Sequence, residues 1–249
     1  MSIWERCDGT NHIVPISGTL YRLVESQEQV ATLNYVDTLE EQEILEALLE
    51  TAKPPYPMQE RDLHYLLKTP FRYPPLKWGS RFGRVHEPSI FYGGQTIPTT
   101  LAEPAYYRWV FWYSMGDTPV ADSLRSEHTL FSVGYAVTKG VRLNSEAFAE
   151  HQAVLRHPVE YAPCQHVGSA MRAAGVEAFE YASARDPAGG GCVGLFTPSA
   201  LTQQQPAAMQ SWFCITTADQ VSFKRKDAAG VTTFELSEFL YRGGLPFPA

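Results

Sequence analysis

The sequence predicts an α+β fold, in which strands and helices follow one another without a repeating strand–helix–strand unit. Three observations lead to this prediction: a β-branched and aromatic run closed by two glycines at 89–94, two strand-like runs joined by a Gly-rich turn within 176–198, and an aromatic-rich helical segment within 99–114. The chain has 249 residues, of which 44% are hydrophobic, so it can bury a substantial core. It lacks the run of about eighteen apolar residues that a membrane helix needs, and its first residues lack the apolar core of a secretory signal. We therefore expect a cytoplasmic protein.

The first half of the chain predicts one strand and one packing helix. Residues 18–24 (GTLYRLV) have strand composition. Asp37 and Glu40 have the spacing of a capping box, which predicts that Asp37 is the N-cap of a helix. The leucines behind it have near-helical spacing and predict a buried face, and the sequence Lys53-Pro54-Pro55 is expected to end the helix.

The segment 89–114 predicts a short strand, SIFYGG, followed by a helix that Thr99 and Thr100 can cap. Proline is tolerated only in the first turn of a helix, so Pro104 predicts that Glu103 lies near the helix N-terminus. Backbone amides there would favour the ionised carboxylate. The aromatic run 106–113 is better explained by core packing than by a ligand cage.

The second half predicts a helix over 161–174 that ends at Gly175. Residues 176–185 and 192–198 read as two strands, and the turn sequence DPAGGG between them predicts a β-hairpin. Another strand is predicted at 212–217.

Charge patterning suggests two interpretations, a small anionic ligand or a solvated loop, and charge alone favours the loop. The formal net charge is −7, yet Arg72, Lys77, Arg81 and Arg84 lie close together in the sequence. Nucleic acid would require a broad basic face, which an acidic chain does not offer, whereas a local cluster of guanidinium groups suits phosphate. The alternative is a solvated loop whose cations balance neighbouring carboxylates.

Common catalytic and metal-binding signatures are absent. Residues 189–194 match GxGxxG, but a turn precedes them and a strand follows, so a dinucleotide-binding Rossmann site is rejected. The four cysteines are scattered without metal-like spacing, so neither a zinc site nor a disulfide framework is predicted. Cys164 is interpreted as a buried small apolar residue, and His86 as a solvated loop residue.

Four residues stand in ordered motifs: Arg81 in Gly-Ser-Arg-Phe, Tyr92 in SIFY, Glu103 in LAE and Ser183 in YASAR. Together with the longer pieces FRYPPLKWGSRFG, TTLAEPAYYR and AFEYASARDPAGG, they resemble the RES-domain family, which is named for its Arg, Glu and Ser. The resemblance runs from residue 21 to residue 198. We therefore expect one RES domain over 1–249, with a core of approximately 69–198 and an extension at each end.

The resemblance implies a fold similar to diphtheria-toxin-like ADP-ribosyltransferases, with mixed or antiparallel sheets flanked by helices. Characterised members of the family are toxins that consume NAD⁺, and their usual partner is an Xre-type helix-turn-helix antitoxin. For this chain it implies NAD⁺ as substrate. The cysteine spacing, the acidic net charge and the lack of a long apolar run predict no metal and neither nucleic acid nor membrane as direct partner. A homo-oligomer remains open.

Each family position matches a chemical task. Arg81 would clamp the NAD⁺ pyrophosphate or the adjacent ribose, and the ring of Tyr92 would stack on nicotinamide. Glu103 would stabilise the positive charge that develops as the nicotinamide–ribose bond breaks. Ser183 would orient Glu103 or hold a ribose hydroxyl, and Arg185, expected on the same strand face, would help to fix an anion.

One departure from the family leaves alternatives open. Members commonly have an aliphatic or small residue after the glutamate, where this chain has Pro104. The preferred interpretation is a glycohydrolase or phosphorylase, with water or phosphate as acceptor. The alternatives are an ADP-ribosyltransferase that modifies a macromolecule and a catalytically inactive, partner-binding RES protein.

Overall fold

The structure is a computed structural model that describes residues 2–26, 36–54, 62–115 and 122–247. Its strands are β1 (Val14–Glu25), β2 (Phe91–Gly94), β3 (Leu124–Arg142), β4 (Ala178–Ala182), β5 (Gly191–Leu195), β6 (Ala208–Thr216), β7 (Gln220–Arg225) and β8 (Thr232–Glu235). Its helices are α1 (Ile3–Arg6), α2 (Leu39–Ala52), α3 (Tyr65–Arg72), α4 (Ile97–Ser114), α5 (Gln152–Leu155) and α6 (Ala162–Ala173). Short 3-10 turns lie at Gly9–His12, Glu146–His151, Pro198–Ala200 and Leu236–Phe239. None of the helices in these ranges has the length and apolar character to cross a bilayer.

The eight strands form one mixed, mostly antiparallel sheet, which confirms the predicted α+β class. The order is β1-β2-β5-β4-β3-β6-β7-β8, and β1 also pairs with β3. The pairings of β1, β2, β5, β4 and β3 therefore close a ring, from which β6, β7 and β8 continue. The pairing of β3 with β4 is parallel, and the other pairings between these strands are antiparallel.

The predicted strands are present, although their limits differ. β1 extends beyond 18–24 at both ends, and β2 begins at Phe91 instead of Ser89. The hairpin of β4 and β5 is confirmed by the antiparallel pair Ala182↔Gly191, and Gly189 in its turn has a φ of 69°, which glycine adopts without strain. The sequence analysis missed β3, the longest strand. Residues 128–133 of this strand are all buried, so the period-2 alternation of a half-exposed strand is missing.

Helix α2 corrects two predictions. Its N-cap is Thr38, whose Oγ1 accepts the N–H of Glu41, so the cap lies one residue after Asp37. Its apolar side chains are not core: Leu39 is 76% exposed and Ile44 60%, whereas Gln42 is buried. The C-terminal end of α2 contacts α3 through an ion pair of 2.7 Å between Glu50 and Arg72. The helix ends at Ala52, before Pro54; Pro55 lies outside the described residues.

Helix α4 begins earlier than predicted. Thr96 is its N-cap, with Oγ1 accepting the N–H of Thr99, and Pro98 occupies the first turn. Pro104 therefore lies inside the helix, and Glu103 lies in the second turn, away from the free amides of the first. Because proline lacks an N–H, the helix forgoes one main-chain hydrogen bond there. Burial of the helix face that carries Leu101 and Tyr106 offsets this loss.

Helix α6 confirms the predicted helix over 161–174, and Gly175 follows it with a φ of 75°. The aromatic run of α4 divides between two environments. Tyr106, Trp109 and Trp112 are buried, as core packing requires, whereas Tyr107 is 43% exposed and lines a cleft.

Candidate functional site

Arg81, Tyr92 and Glu103 line one cleft of about 420 Å³. They come from three separate elements: the loop after α3, strand β2 and helix α4. Strand β2 is held in the sheet between β1 and β5. The guanidinium, aromatic and carboxylate residues predicted to act on the ligand therefore border the same cleft.

The four cations that lie close together in the sequence, Arg72, Lys77, Arg81 and Arg84, do not all line this cleft. Arg72 is committed to its ion pair with Glu50, and Lys77 and Arg84 do not line the cleft. Arg81 alone of the four lines the cleft, so the four cations do not form one shared anion site. Arg81 is buried, whereas Lys77 is exposed and Arg84 half-buried.

The Arg81 guanidinium is buried and held on one side. Its Nη1 donates to the carbonyl oxygen of His157 at 2.8 Å and more weakly to that of Leu155 at 3.4 Å. The group lies over the ring of Tyr161, with 4.6 Å to the ring centroid. No carboxylate of the described residues forms an ion pair with it, so its charge can serve an anion in the cleft.

Tyr92 fixes the loop that carries Arg81. Its hydroxyl lies 2.9 Å from Ser80 Oγ and accepts the N–H of Phe82 at 3.1 Å. Burial raises the pKa of this phenol, so it stays neutral. Its hydroxyl is therefore committed to the protein, its ring packs edge-on against Phe179 and Tyr181, and the residue lines the cleft.

The carboxylate of Glu103 is positioned from the hairpin of β4 and β5. Ser183 Oγ donates to Glu103 Oε1 at 2.5 Å and accepts the N–H groups of Arg185 at 3.0 Å and Asp186 at 2.9 Å. Ser183 is fully buried and does not line the cleft. Its geometry thus fits the orientation of Glu103, one of the two tasks considered, and does not fit contact with a ribose.

Arg185 lines the cleft, but the predicted placement on a strand is wrong. β4 ends at Ala182, and Arg185 follows in the turn that the Ser183 hydroxyl organises. Its Nη2 donates to Pro158 O at 2.8 Å and to Tyr161 Oη at 3.1 Å, and its guanidinium lies 3.5 Å from the centroid of the Tyr106 ring.

Arg22 is the site residue that the sequence analysis missed. It lies on β1, lines the cleft and donates to the carbonyl oxygen of Tyr92 at 2.6 Å. Its Nε is buried without a hydrogen-bond partner. Burial lowers the pKa of Arg22 to about 10, which still leaves it charged at neutral pH. The sequence feature that could have identified it is a charged residue within the strand-like run 18–24.

Electrostatics distinguish the cleft from the rest of the molecule. Three arginines line it, Arg22, Arg81 and Arg185, against the single carboxylate of Glu103. The chain as a whole has a formal net charge of −7. The cleft is thus a locally positive region with one carboxylate, which suits an anionic ligand that also develops positive charge.

The groups rejected as catalytic remain outside this arrangement. Cys164 is buried on α6 with its thiol near the carbonyl oxygen of Leu155, and burial raises its pKa, so it stays a thiol. Residues 189–194 form the hairpin turn and most of β5, so they are not a strand-to-helix phosphate loop. Among the described residues, no group of three or more His, Cys, Asp and Glu side chains is arranged to hold a metal.

Comparison with known proteins identifies a family and a structural neighbour. The model of the RES domain matches residues 54–216, well over half of the chain and wider at both ends than the 69–198 core. A chain in the crystal structure of the M. tuberculosis MbcT–MbcA toxin–antitoxin complex is similar over 83% of this chain and 90% of that chain, with 12% sequence identity and a TM-score of 0.48. No curated protein matches the sequence.

Proposed function

Because this chain belongs to the RES-domain family, we propose that it is an enzyme that consumes NAD⁺ by breaking the bond between nicotinamide and ribose. The observation that carries the proposal is the meeting of Arg81, Tyr92 and Glu103 in one cleft. Arginine, an aromatic ring and a carboxylate are the groups that a pyrophosphate, a cationic nicotinamide and a developing oxocarbenium ion require. We also propose that residues 1–249 form one RES domain, with a core of approximately 69–198 and an extension at each end.

The bond that breaks joins ribose C1′ to the nicotinamide nitrogen. The electron pair leaves with neutral nicotinamide, and positive charge develops on the ribose. The Glu103 carboxylate stabilises that charge, and the hydrogen bond from Ser183 keeps the carboxylate in place. Water or phosphate then attacks C1′; water loses a proton and gives ADP-ribose, and phosphate gives a phosphorylated ADP-ribose.

Binding falls to the arginines and the tyrosine ring. Arg81 has guanidinium N–H groups beyond the one bonded to the carbonyl oxygens of Leu155 and His157, and these are available to the pyrophosphate or the ribose. Arg22 and Arg185 add positive charge around the same space. The Tyr92 hydroxyl is bonded to the Arg81 loop, which leaves its ring to stack on nicotinamide.

Membership of the RES-domain family also supports a proposal about toxicity and about the protein partner of this chain. A toxin of this kind depletes cellular NAD⁺, and an Xre-type helix-turn-helix antitoxin would hold it inactive by blocking the cleft. Co-expression with an Xre-type antitoxin that binds this chain should restore growth, and a complex that forms yet leaves NAD⁺ turnover unchanged would contradict the blocking role.

The reaction is tested by product analysis with purified protein and NAD⁺ labelled in the adenosine half. We expect free nicotinamide together with labelled ADP-ribose, or its phosphate ester when phosphate is present. Label that stays on protein or nucleic acid after incubation with lysate would instead indicate ADP-ribosyl transfer. Intact NAD⁺ under all conditions would contradict the proposal and leave a partner-binding role.

A further inference from the structure

The C-terminal segment 236–247 packs against α4, the helix that carries Glu103. It lies beyond the part of the chain that matches the RES domain, which ends at residue 216. Phe239 of this segment belongs to the same apolar cluster as Trp109 of α4, and the centroids of their rings are 5.0 Å apart. The segment therefore supports a helix that forms one wall of the cleft.

Two hydrogen bonds join this segment to residues beside the cleft. The buried hydroxyl of Tyr106 on α4 donates to the carbonyl oxygen of Pro246 at 2.5 Å. Burial raises the pKa of Tyr106 to about 12, so the hydroxyl keeps the proton that it donates. His157 Nε2 lies 3.3 Å from Tyr241 Oη, and the carbonyl oxygen of the same histidine accepts a hydrogen bond from Arg81. The second contact therefore ties the segment to a residue that holds a cleft arginine.

Tyr106 supports another cleft arginine, Arg185. Tyr106 does not line the cleft, but the guanidinium carbon of Arg185 lies 3.5 Å from the centroid of its ring. Among the described residues the side chain of Arg185 donates only from Nη2, to Pro158 O at 2.8 Å and to Tyr161 Oη at 3.1 Å. A guanidinium group stacks flat on an aromatic face, so the Tyr106 ring sets its plane.

Arg185 is thus held without a counter-ion. Across the described parts of the chain, no carboxylate forms an ion pair with it. Its Nη1 and Nε remain available, and a guanidinium with two free N–H groups in a buried site suits a phosphate oxygen. The orientation of these groups depends on the ring beneath them, because the ring and the two Nη2 contacts are what fix the guanidinium.

The contacts form one path from the C-terminal segment to the cleft. The carbonyl oxygen of Pro246 fixes the hydroxyl end of the Tyr106 ring, and the guanidinium of Arg185 lies on the face of that ring. We propose that the C-terminal segment 236–247 positions Arg185 through Tyr106 and so sets the affinity of the cleft for a phosphate-type anion. The identity of that anion as the NAD⁺ pyrophosphate rests on the proposed function.

The test uses inorganic pyrophosphate as the binding probe. Its binding to the full chain is measured by titration calorimetry for the wild type, Tyr106→Phe, Arg185→Gln and the double variant, and urea unfolding confirms that each protein is folded. Tyr106→Phe keeps the ring and removes only the bond to Pro246. KM and kcat for nicotinamide release from NAD⁺ are measured on the same proteins. Tyr113→Phe is the matched control, because Tyr113 lies on the same helix and donates to Ala218 O at 2.9 Å, also beyond residue 216, but does not line the cleft.

We expect Tyr106→Phe to weaken pyrophosphate binding and to raise KM for NAD⁺ by about threefold, with kcat within about twofold, since Ser183 still holds Glu103. Arg185→Gln should weaken binding by about tenfold, because it removes a charged donor. In the Arg185→Gln background, Tyr106→Phe should cause no further loss, since the tyrosine acts through the arginine. A merely structural role would give the same loss in both backgrounds. Tyr113→Phe should match the wild type.

Wild-type affinity in Tyr106→Phe, additive losses in the double variant, or no pyrophosphate binding by the wild type would overturn the inference. If pyrophosphate binding changes as expected but none of the proteins releases nicotinamide, the proposed reaction fails and the positioning role stands. If nicotinamide is released and Tyr106→Phe keeps the wild-type KM, the reaction stands and the positioning role fails.

Discussion

Replacing Ser183 with alanine removes a fully buried hydroxyl that makes three hydrogen bonds. The hydroxyl donates to the Glu103 carboxylate at 2.5 Å and accepts two main-chain N–H groups, those of Arg185 and Asp186. The same substitution therefore frees the carboxylate and loosens the turn that places Arg185 in the cleft.

The magnitude follows from these contacts. A hydrogen bond to an ionised group contributes about 1.5–3 kcal/mol, and each buried N–H left without an acceptor costs about 1–3 kcal/mol. Relaxation of the turn and entry of water recover part of this, so we expect the free energy of unfolding to fall by about 3 kcal/mol. For a chain of this length the melting temperature should fall by roughly 6–12 °C. A carboxylate that is no longer held in place should lower kcat by about 10–100-fold.

The assay combines urea unfolding with nicotinamide release at a temperature well below both melting points. Ser199→Ala is the control, because Ser199 is an exposed serine that bonds locally to Thr197. A Ser183→Ala protein with wild-type kcat would refute the positioning of Glu103 by Ser183, even if its stability fell. Wild-type stability would refute the hydrogen-bond network itself.

Two further predictions concern a helix and a histidine. Pro104→Ala should restore the main-chain bond to Thr100 in α4 and raise the free energy of unfolding by about 1–2 kcal/mol, less than the full helix penalty because the unfolded chain gains freedom. Since Ser183 holds Glu103 independently of this bond, kcat should stay within about threefold, and a large gain in kcat would show that the proline restrains the site. Burial, and secondly the charge of Arg108, lowers the pKa of His128 from 6.5 to about 4. Between about pH 6.5 and pH 4 the unfolded chain binds a proton at this histidine and the native state does not, so the free energy of unfolding should fall as the pH drops through this window. His128→Gln should flatten this pH dependence of the urea midpoint relative to the wild type, and an unchanged slope would contradict it.

Sequence reasoning succeeded where the local signal and the global fold agree. The hairpin of β4 and β5 was predictable because its turn sequence allows few other conformations. Strand β3 was not, because its middle is buried on both faces and carries buried polar residues such as His128 and Ser132. The start of α4 was misplaced because a proline was assumed to require the first turn, whereas packing of the helix outweighs one lost bond.

The candidate site was partly predictable for the same reason. Arg81, Tyr92 and Glu103 lie in the short motifs that resemble those of the RES-domain family. The order of these motifs in the sequence was therefore enough to select the three residues. Arg22 was missed because its importance depends on a neighbour far along the chain, the carbonyl oxygen of Tyr92. The commitment of Ser183 to Glu103 likewise arises only when the hairpin folds against α4.

The most direct measurement is the rate of nicotinamide release from NAD⁺ by wild type and Glu103→Gln, with Glu160→Gln as a control at an exposed glutamate outside the cleft. Glutamine keeps an oxygen that can accept the Ser183 hydroxyl, so the fold is preserved while the negative charge is lost. We expect kcat to fall by about 10²–10⁴ in Glu103→Gln and to stay at the wild-type value in Glu160→Gln. Equal turnover by all three proteins would contradict a catalytic role for this carboxylate.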